Sequence, residues 1–146
     1  MQQHTMTSST LTESDSITMP IRTDEDVVRL RKAARDYLVS SGFGTVDQTK
    51  MITAASELAR NTLRYGGGGD AYLSKVADGS RRGVCMSFHD EGPGIPDVTL
   101  ALTDGYTTGG GMGLGLSGSK RLADEFELDT APGKGTRVKI VKWKAF

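Results

Sequence analysis

Eleven of the 19 glycines in this chain of 146 residues fall in three clusters, and this clustering most limits what the chain can form. The clusters occupy positions 66–69, Gly92 with Gly94, and five positions between Gly109 and Gly115. Glycine has no side chain to keep a ligand away from the backbone, yet it loses more conformational freedom on folding than other residues. The clusters therefore indicate loops whose backbone lies close to a bound ligand.

The charge balance argues against nucleic acid or anionic lipid as a partner. Lys and Arg together number 18, as do Asp and Glu, so no overall field attracts a polyanion. No run approaches the roughly 18 apolar residues of a membrane span, and the first 15 residues lack the features of a signal peptide. We therefore expect a cytoplasmic protein with no membrane partner. The single cysteine, Cys85, permits no internal disulfide.

The chain length predicts one domain, preceded by a tail. Residues 1–15 are polar, rich in Ser and Thr, and show neither a helical nor a strand period. Such a segment cannot bury enough apolar surface to offset its ordering entropy, so we predict a disordered tail over 1–15. Residues 16–146 are predicted to form a single domain that begins with a short strand at 17–21.

Two helices are predicted next. Thr23 and Asp26 have the spacing of a capping box, followed by apolar residues at three- and four-residue steps, which predicts a helix over 24–40. Thr45 and Gln48 suggest a second capping box that opens a helix over 46–65. One face of this second helix is apolar, and the other is polar and carries Glu57.

The second half of the chain predicts strands and one more helix. Alternation over 71–76 and 84–89 predicts an antiparallel pair, 114–126 has helical spacing, and 127–130 with 136–143 has the pattern of a closing hairpin. The predicted fold is an α+β two-layer sandwich, in which a mixed, mostly antiparallel sheet has helices on one face.

The first candidate site lies on the polar face of the second helix. Glu57 and Asn61 are four residues apart and so share a helix face. A carboxylate there could accept a proton, and an amide oxygen could bind Mg²⁺. Taken alone, the same pattern is typical of a solvated helix face.

The second candidate site follows the strand predicted at 84–89. Asp90 could accept a hydrogen bond from an exocyclic amine such as that of adenine, while Gly92 and Gly94 would let the next turn pass close to a ring. An ordinary Pro-Gly turn would have the same sequence.

The third candidate site is the glycine-rich run that leads into the predicted third helix. Free amides in such a loop and at a helix N-terminus suit a triphosphate. The run fits neither the P-loop pattern nor the dinucleotide-binding fingerprint. Its residues are Gly109, Gly110, Gly111, Met112, Gly113, Leu114 and Gly115.

In this order, and followed by Gly133 to Thr136, the motifs resemble the N box and glycine boxes of the GHKL ATPase and kinase superfamily. The resemblance spans about residues 46–141 and implies a Bergerat fold that binds ATP with Mg²⁺. Within the superfamily, positions 42–47, 56–61, 104–110 and 140–143 look most like the RsbT-type switch kinases. The N-terminal extension and the glycines at 66–69 are not part of that pattern.

The resemblance implies a serine/threonine kinase that phosphorylates a STAS-domain antagonist in a stress-response partner switch, with a phosphatase regulator or sigma factor as a further partner. It implies that Glu57 is the general base, that Asn61 is the magnesium ligand and that Asp90 is the adenine partner. Gly92 and Gly94 would shape the base pocket, positions 109–115 would cover the phosphates, and Thr136 would support the adenine through Asp90.

An anti-sigma factor of the same fold, which sequesters a sigma factor, is the alternative. The nucleotide motifs are common to both proteins, and only the likeness of the quoted segments favours the switch kinase. A sensor histidine kinase is disfavoured because His4 lies in the predicted tail and His89 on a predicted strand. The larger ATPases of the superfamily couple the same pocket to further domains, for which 146 residues leave no room.

Overall fold

A computed structural model describes residues 11–103 and 116–144. Its five strands form one sheet in the order β1-β2-β3-β5-β4, and every neighbouring pair is antiparallel. The strands are β1 (Leu11–Ile21), β2 (Gly69–Asp78), β3 (Arg81–Asp90), β4 (Glu125–Thr130) and β5 (Thr136–Trp143).

In the described residues, two long helices lie between β1 and β2, and two short ones lie between β3 and β4. They are α1 (Asp24–Ser40), α2 (Thr45–Arg60), α3 (Val98–Ala101) and α4 (Leu116–Leu122), and a π-helical turn, Asn61–Tyr65, continues α2. None of the helices in the described ranges is long and apolar enough to cross a membrane.

Local sequence explains where α1 and α2 begin. The predicted capping box of α1 is confirmed, since the Thr23 hydroxyl accepts from the Asp26 backbone N–H and the Asp26 carboxylate accepts from the Thr23 N–H. The second predicted box is wrong, because Gly44 is the N-cap of α2 and no side chain caps it. The Gln48 side chain instead donates to the Phe43 carbonyl, 2.8 Å away.

The core lies between one face of the sheet and the helices. Successive strand residues point to opposite faces, so Val84, Met86 and Phe88 of β3 are buried against the helices, while Cys85 faces the other way and joins a smaller cluster. Helix residues such as Leu30 and Leu58 complete the main core. The predicted α+β sandwich with helices on one face is confirmed.

The predicted boundary of the N-terminal tail at residue 15 is wrong. Residues 11–14 pair with 78–75 of β2, and the Asp15 carbonyl accepts a hydrogen bond from the Tyr37 hydroxyl. Polar side chains show no period here because most of this edge strand is exposed and backbone pairing, not apolar burial, keeps it in the sheet. Residues 1–10 lie outside the described part of the chain.

The predicted third helix is too long at its C-terminal end. α4 ends at Leu122, and Phe126 lies in β4 rather than in the helix. The four-residue step from Leu122 to Phe126 fits a helix, but Phe126 and Leu128 also alternate with exposed glutamates, which fits a strand facing the core. Residues 114 and 115, where the helix was predicted to begin, lie outside the described residues.

Candidate functional site

A cavity opens where the end of α2 meets the ends of β3 and β5. Its enclosed volume is about 20 Å³, and the empty space reaches about 350 Å³ only when the open solvent at its mouth is included. Its apolar walls come from Leu58, Phe88, Ile95, Leu116 and Val138, and its polar groups from Asn61, Thr62, Tyr65, Asp90 and Thr136. Three of the residues predicted from separate motifs, Asn61, Asp90 and Thr136, thus line one space.

Asp90 is the acidic group inside this cavity. It is the last residue of β3, it is 9% exposed, and its Oδ1 accepts from the Gly92 backbone N–H at 2.9 Å. Burial raises the pKa of its carboxyl, and backbone hydrogen bonds from Gly92 and Thr136 oppose that rise. A buried carboxylate with open acceptor positions suits a ligand that carries an N–H donor, as adenine does.

Three glycines make room for Asp90. A Cβ on Gly66 would lie 2.2 Å from the Asp90 Cγ, one on Gly92 would lie 3.1 Å from Oδ1, and one on Gly135 would lie 2.2 Å from the Asp90 carbonyl oxygen. Gly92 and Gly135 belong to glycine boxes that the sequence predicted. Gly66 belongs to the cluster at 66–69, which is not part of the family pattern. The structure places that cluster from the end of the π-helical turn to the first residue of β2, with Gly66 packed against the Asp90 side chain.

Gly94 joins the next loop to the rest of the site. Its φ is +77°, and a Cβ there would lie 2.0 Å from the Ala131 carbonyl oxygen, so only glycine fits without a shift. Its own carbonyl accepts from the Tyr65 hydroxyl at 2.9 Å. Sequence reasoning missed Tyr65, and its only signal was its place directly before the glycine cluster.

Thr136 belongs to a small network of hydroxyl groups. Its Oγ1 lies 3.0 Å from the Thr130 Oγ1, which accepts from the Ile95 N–H and donates to the Gly135 carbonyl, both at 2.9 Å. Thr136 also pairs with Asp90 across β5 and β3. The network fixes the β4–β5 turn and the loop after β3 in one position beside Asp90.

The end of α2 brings Asn61 to the cavity. The Thr62 hydroxyl donates to the Leu58 carbonyl at 3.0 Å, and the backbone widens from an α-helix to a π-helix at Asn61. Side-chain donation back to the helix backbone bends helices, and π turns are frequent at functional sites. The Gly66 N–H closes the turn on the Asn61 carbonyl at 3.0 Å.

Glu57 lies one turn earlier and does not line the described part of the cavity. Its Oε1 is 2.5 Å from the Arg60 Nη1, and the two side chains are 39% and 42% exposed. Glu57 is therefore an exposed residue paired with Arg60, and the structure does not bring it into the cavity lining with Asn61.

The glycine-rich run lies outside the described residues, and its predicted contact with phosphates stays a prediction. This concerns Gly109, Gly110, Gly111, Met112, Gly113, Leu114 and Gly115.

No group of three or more His, Cys, Asp or Glu side chains that could hold a metal occurs in residues 11–103 and 116–144. Mg²⁺ in nucleotide sites is usually bound by one or two protein oxygens together with phosphates and water. Asn61, which lines the cavity, would supply one such protein oxygen through its side-chain amide.

Comparison with known proteins gives results that agree with this geometry. Residues 46–145 match the family described as histidine kinase-, DNA gyrase B- and HSP90-like ATPases. The serine/threonine-protein kinase RsbT of Bacillus subtilis is 44% identical over 130 residues, which cover 89% of this chain and 98% of that protein. The anti-sigma F factor of Bacillus licheniformis is 29% identical over 106 residues, covering 67% of this chain and 71% of that protein.

A solved structure supports the fold. The RsbU and RsbW domains of Rv1364c from Mycobacterium tuberculosis superpose with a TM-score of 0.60 over 90% of this chain at 16% identity. The chain spans about a third of that protein, since the match covers 34% of its length.

Proposed function

Because the chain belongs to the histidine kinase-, DNA gyrase B- and HSP90-like ATPase family and is of the RsbT type, we propose that it phosphorylates a STAS-domain antagonist. It is a serine/threonine protein kinase that uses ATP, and the proposal adds the substrate, a stress-response partner switch and a magnesium ion. The main support for ATP use at this site is that Asn61, Asp90 and Thr136 line one cavity.

ATP would enter this cavity with its base against Asp90. The carboxylate would accept from the exocyclic amine of adenine, Thr136 would hold Asp90 through the β3–β5 pair, and the apolar walls would cover the ring. Gly92 and Gly94 would shape the base pocket indirectly, because the side chains that they lack make room for Gly66 and for the Ala131 carbonyl. The glycine-rich run from Gly109 to Gly115 would supply backbone N–H groups to the phosphates.

Phosphoryl transfer asks the protein mainly for positioning and for neutralisation of charge. Asn61 would hold Mg²⁺, which neutralises charge on the phosphates. Glu57 would accept the proton of the substrate hydroxyl as its oxygen bonds to the γ-phosphorus and the bond to the β-phosphate oxygen breaks, releasing ADP. Its exposed position, one helix turn before Asn61, suits a base that meets a protein substrate arriving from solvent.

The second candidate function is that of an anti-sigma factor, favoured by the 29% identity to the anti-sigma F factor of Bacillus licheniformis. The 44% identity over nearly the whole length of RsbT favours the kinase of the partner switch. In either case we propose a single domain, located in the cytoplasm, that acts on protein partners and not on nucleic acid or membranes.

A transfer assay tests the proposal. The protein is incubated with γ-labelled ATP, Mg²⁺ and candidate STAS-domain proteins, each paired with a control whose acceptor Ser or Thr is replaced by Ala. We expect label on the STAS-domain protein and none on its control. Label on no STAS-domain protein, together with a stable nucleotide-dependent complex with a sigma factor, would favour the anti-sigma function instead.

A further inference from the structure

A short ion pair joins the proposed base to its neighbour in the same helix turn. The Arg60 Nη1 contacts the Glu57 Oε1 at 2.5 Å, with a spacing of three residues in the last turn of α2. Arg60 is followed directly by Asn61, which lines the cavity. In sequence, Arg60 therefore lies between the residue that would take the proton and the residue that would hold the metal.

This pair is easily opened. Both side chains are about 40% exposed, and an ion pair at that exposure stabilises a protein by about 1 kcal/mol at most. A γ-phosphate carries more negative charge than one carboxylate and accepts from both arms of a guanidinium. A phosphate within reach would therefore compete successfully for Arg60.

We propose that Arg60 exchanges partners, contacting Glu57 in the nucleotide-free protein and the γ-phosphate when ATP is bound. This inference rests on the proposed function. Without the γ-phosphate, Arg60 occupies one carboxylate oxygen of Glu57. With ATP bound, the exchange frees that oxygen and brings a positive charge to the phosphoryl group. Because so exposed a pair is weak, the exchange should make Glu57 only a few fold more available when there is a group to transfer.

ADP lacks the γ-phosphate that Arg60 would contact. The ADP dissociation constant divided by the ATP dissociation constant therefore measures this contact, and no transfer reaction is needed. Both constants are measured by calorimetry with Mg²⁺ present throughout. Arg60→Gln should lower this ratio by about tenfold or more, the usual effect of losing a charge-assisted hydrogen bond. Arg31→Gln, which removes the same charge from the exposed face of α1, is the matched control and should leave the ratio unchanged.

A double-mutant cycle separates partner exchange from simple charge effects. Glu57→Gln removes the competing carboxylate and should tighten ATP binding a few fold more than ADP binding, but only while Arg60 is present. In the Arg60→Gln background, Glu57→Gln should not change the ratio. Tightening of equal size in both backgrounds would show general repulsion by Glu57 and would overturn the exchange.

The outcomes distinguish this inference from the function on which it rests. Suppose that the wild-type protein binds both nucleotides and that Arg60→Gln, shown by thermal unfolding to be folded, keeps the wild-type ratio. The partner exchange is then wrong, whereas the proposed kinase function is unaffected. If the wild-type protein binds neither nucleotide, both fall. Arg60→Lys, which keeps the charge but not the two-armed geometry, should give an intermediate ratio.

Discussion

The replacement of Gly66 by Ala tests whether the glycine cluster before β2 exists to accommodate Asp90. The backbone of Gly66 is helical, with φ −85° and ψ −11°, so alanine adds no conformational strain. Its Cβ would lie 2.2 Å from the Asp90 Cγ and 2.4 Å from Oδ2, closer than real Cβ contacts come. Any effect of Gly66→Ala must therefore come from this contact.

The size of the effect follows from what Asp90 would have to give up. Asp90 is short and buried, and moving it breaks the 2.9 Å hydrogen bond from Gly92. Overpacking of this kind usually costs about 1–3 kcal/mol of unfolding free energy. If Asp90 also moves away from adenine, ATP affinity should fall by about 10- to 100-fold, the usual effect of losing a hydrogen bond to a charged group.

Urea unfolding and calorimetric titration with ATP measure the two quantities. Gly44→Ala is the control, because Gly44 has φ −77° and a Cβ there would meet no atom within 4 Å. It should keep wild-type ATP affinity and lose less than about 1 kcal/mol, the scale of a weaker N-cap. Unchanged stability and ATP affinity in Gly66→Ala would refute the packing argument.

Three further predictions concern the edge strand, the buried carboxylate and the metal. Deletion of residues 1–15 should lower the unfolding free energy by about 1–3 kcal/mol, because backbone pairing of 11–14 with β2 is lost, and should leave ATP affinity unchanged since the cavity lies at the other end of the sheet. Burial raises the pKa of Asp90, so the folded state favours its protonated form; that stabilisation is complete below about pH 4 and lost as the pH rises through the raised pKa. Asp90→Asn should therefore gain stability relative to wild type in thermal unfolding as the pH rises above about 4, and a difference that does not change with pH would contradict this. Asn61→Ala should weaken ATP binding more with Mg²⁺ than without it. Equal weakening under both conditions would show that Asn61 does not bind the metal.

Sequence periodicity recovers the parts of this fold that bury an apolar face. The predicted helix over 24–40 has the observed bounds of α1, and the predicted strand over 136–143 has those of β5. The first half of β1 could not be found in this way, because an exposed edge strand has no apolar pattern to reveal it. Its formation depends on pairing with β2, which is distant in sequence.

The motifs predicted the chemical types at the site, but not all of its contacts. Asn61, Asp90 and Thr136 meet because α2, β3 and β5 end at the same edge of the core, an outcome of the fold as a whole. The contact of Gly66 with Asp90 spans 24 positions of sequence and has no local signal. The π turn at Asn61–Tyr65 continues the apolar pattern of α2, so helix periodicity does not distinguish it from an α-helix.

In the proposed mechanism, Glu57 takes the proton from the substrate hydroxyl in an otherwise ordinary ATP site. Glu57→Gln keeps nearly the same shape and removes the basic carboxylate. The most direct measurement follows phosphate transfer by Glu57→Gln in a single turnover against the STAS-domain protein that the wild-type kinase labels, with Mg-ATP affinity determined on the same samples. We expect Mg-ATP still to bind while transfer slows by about 10²- to 10⁴-fold, the usual effect of losing a general base. Transfer at the wild-type rate by the fully loaded variant would contradict it.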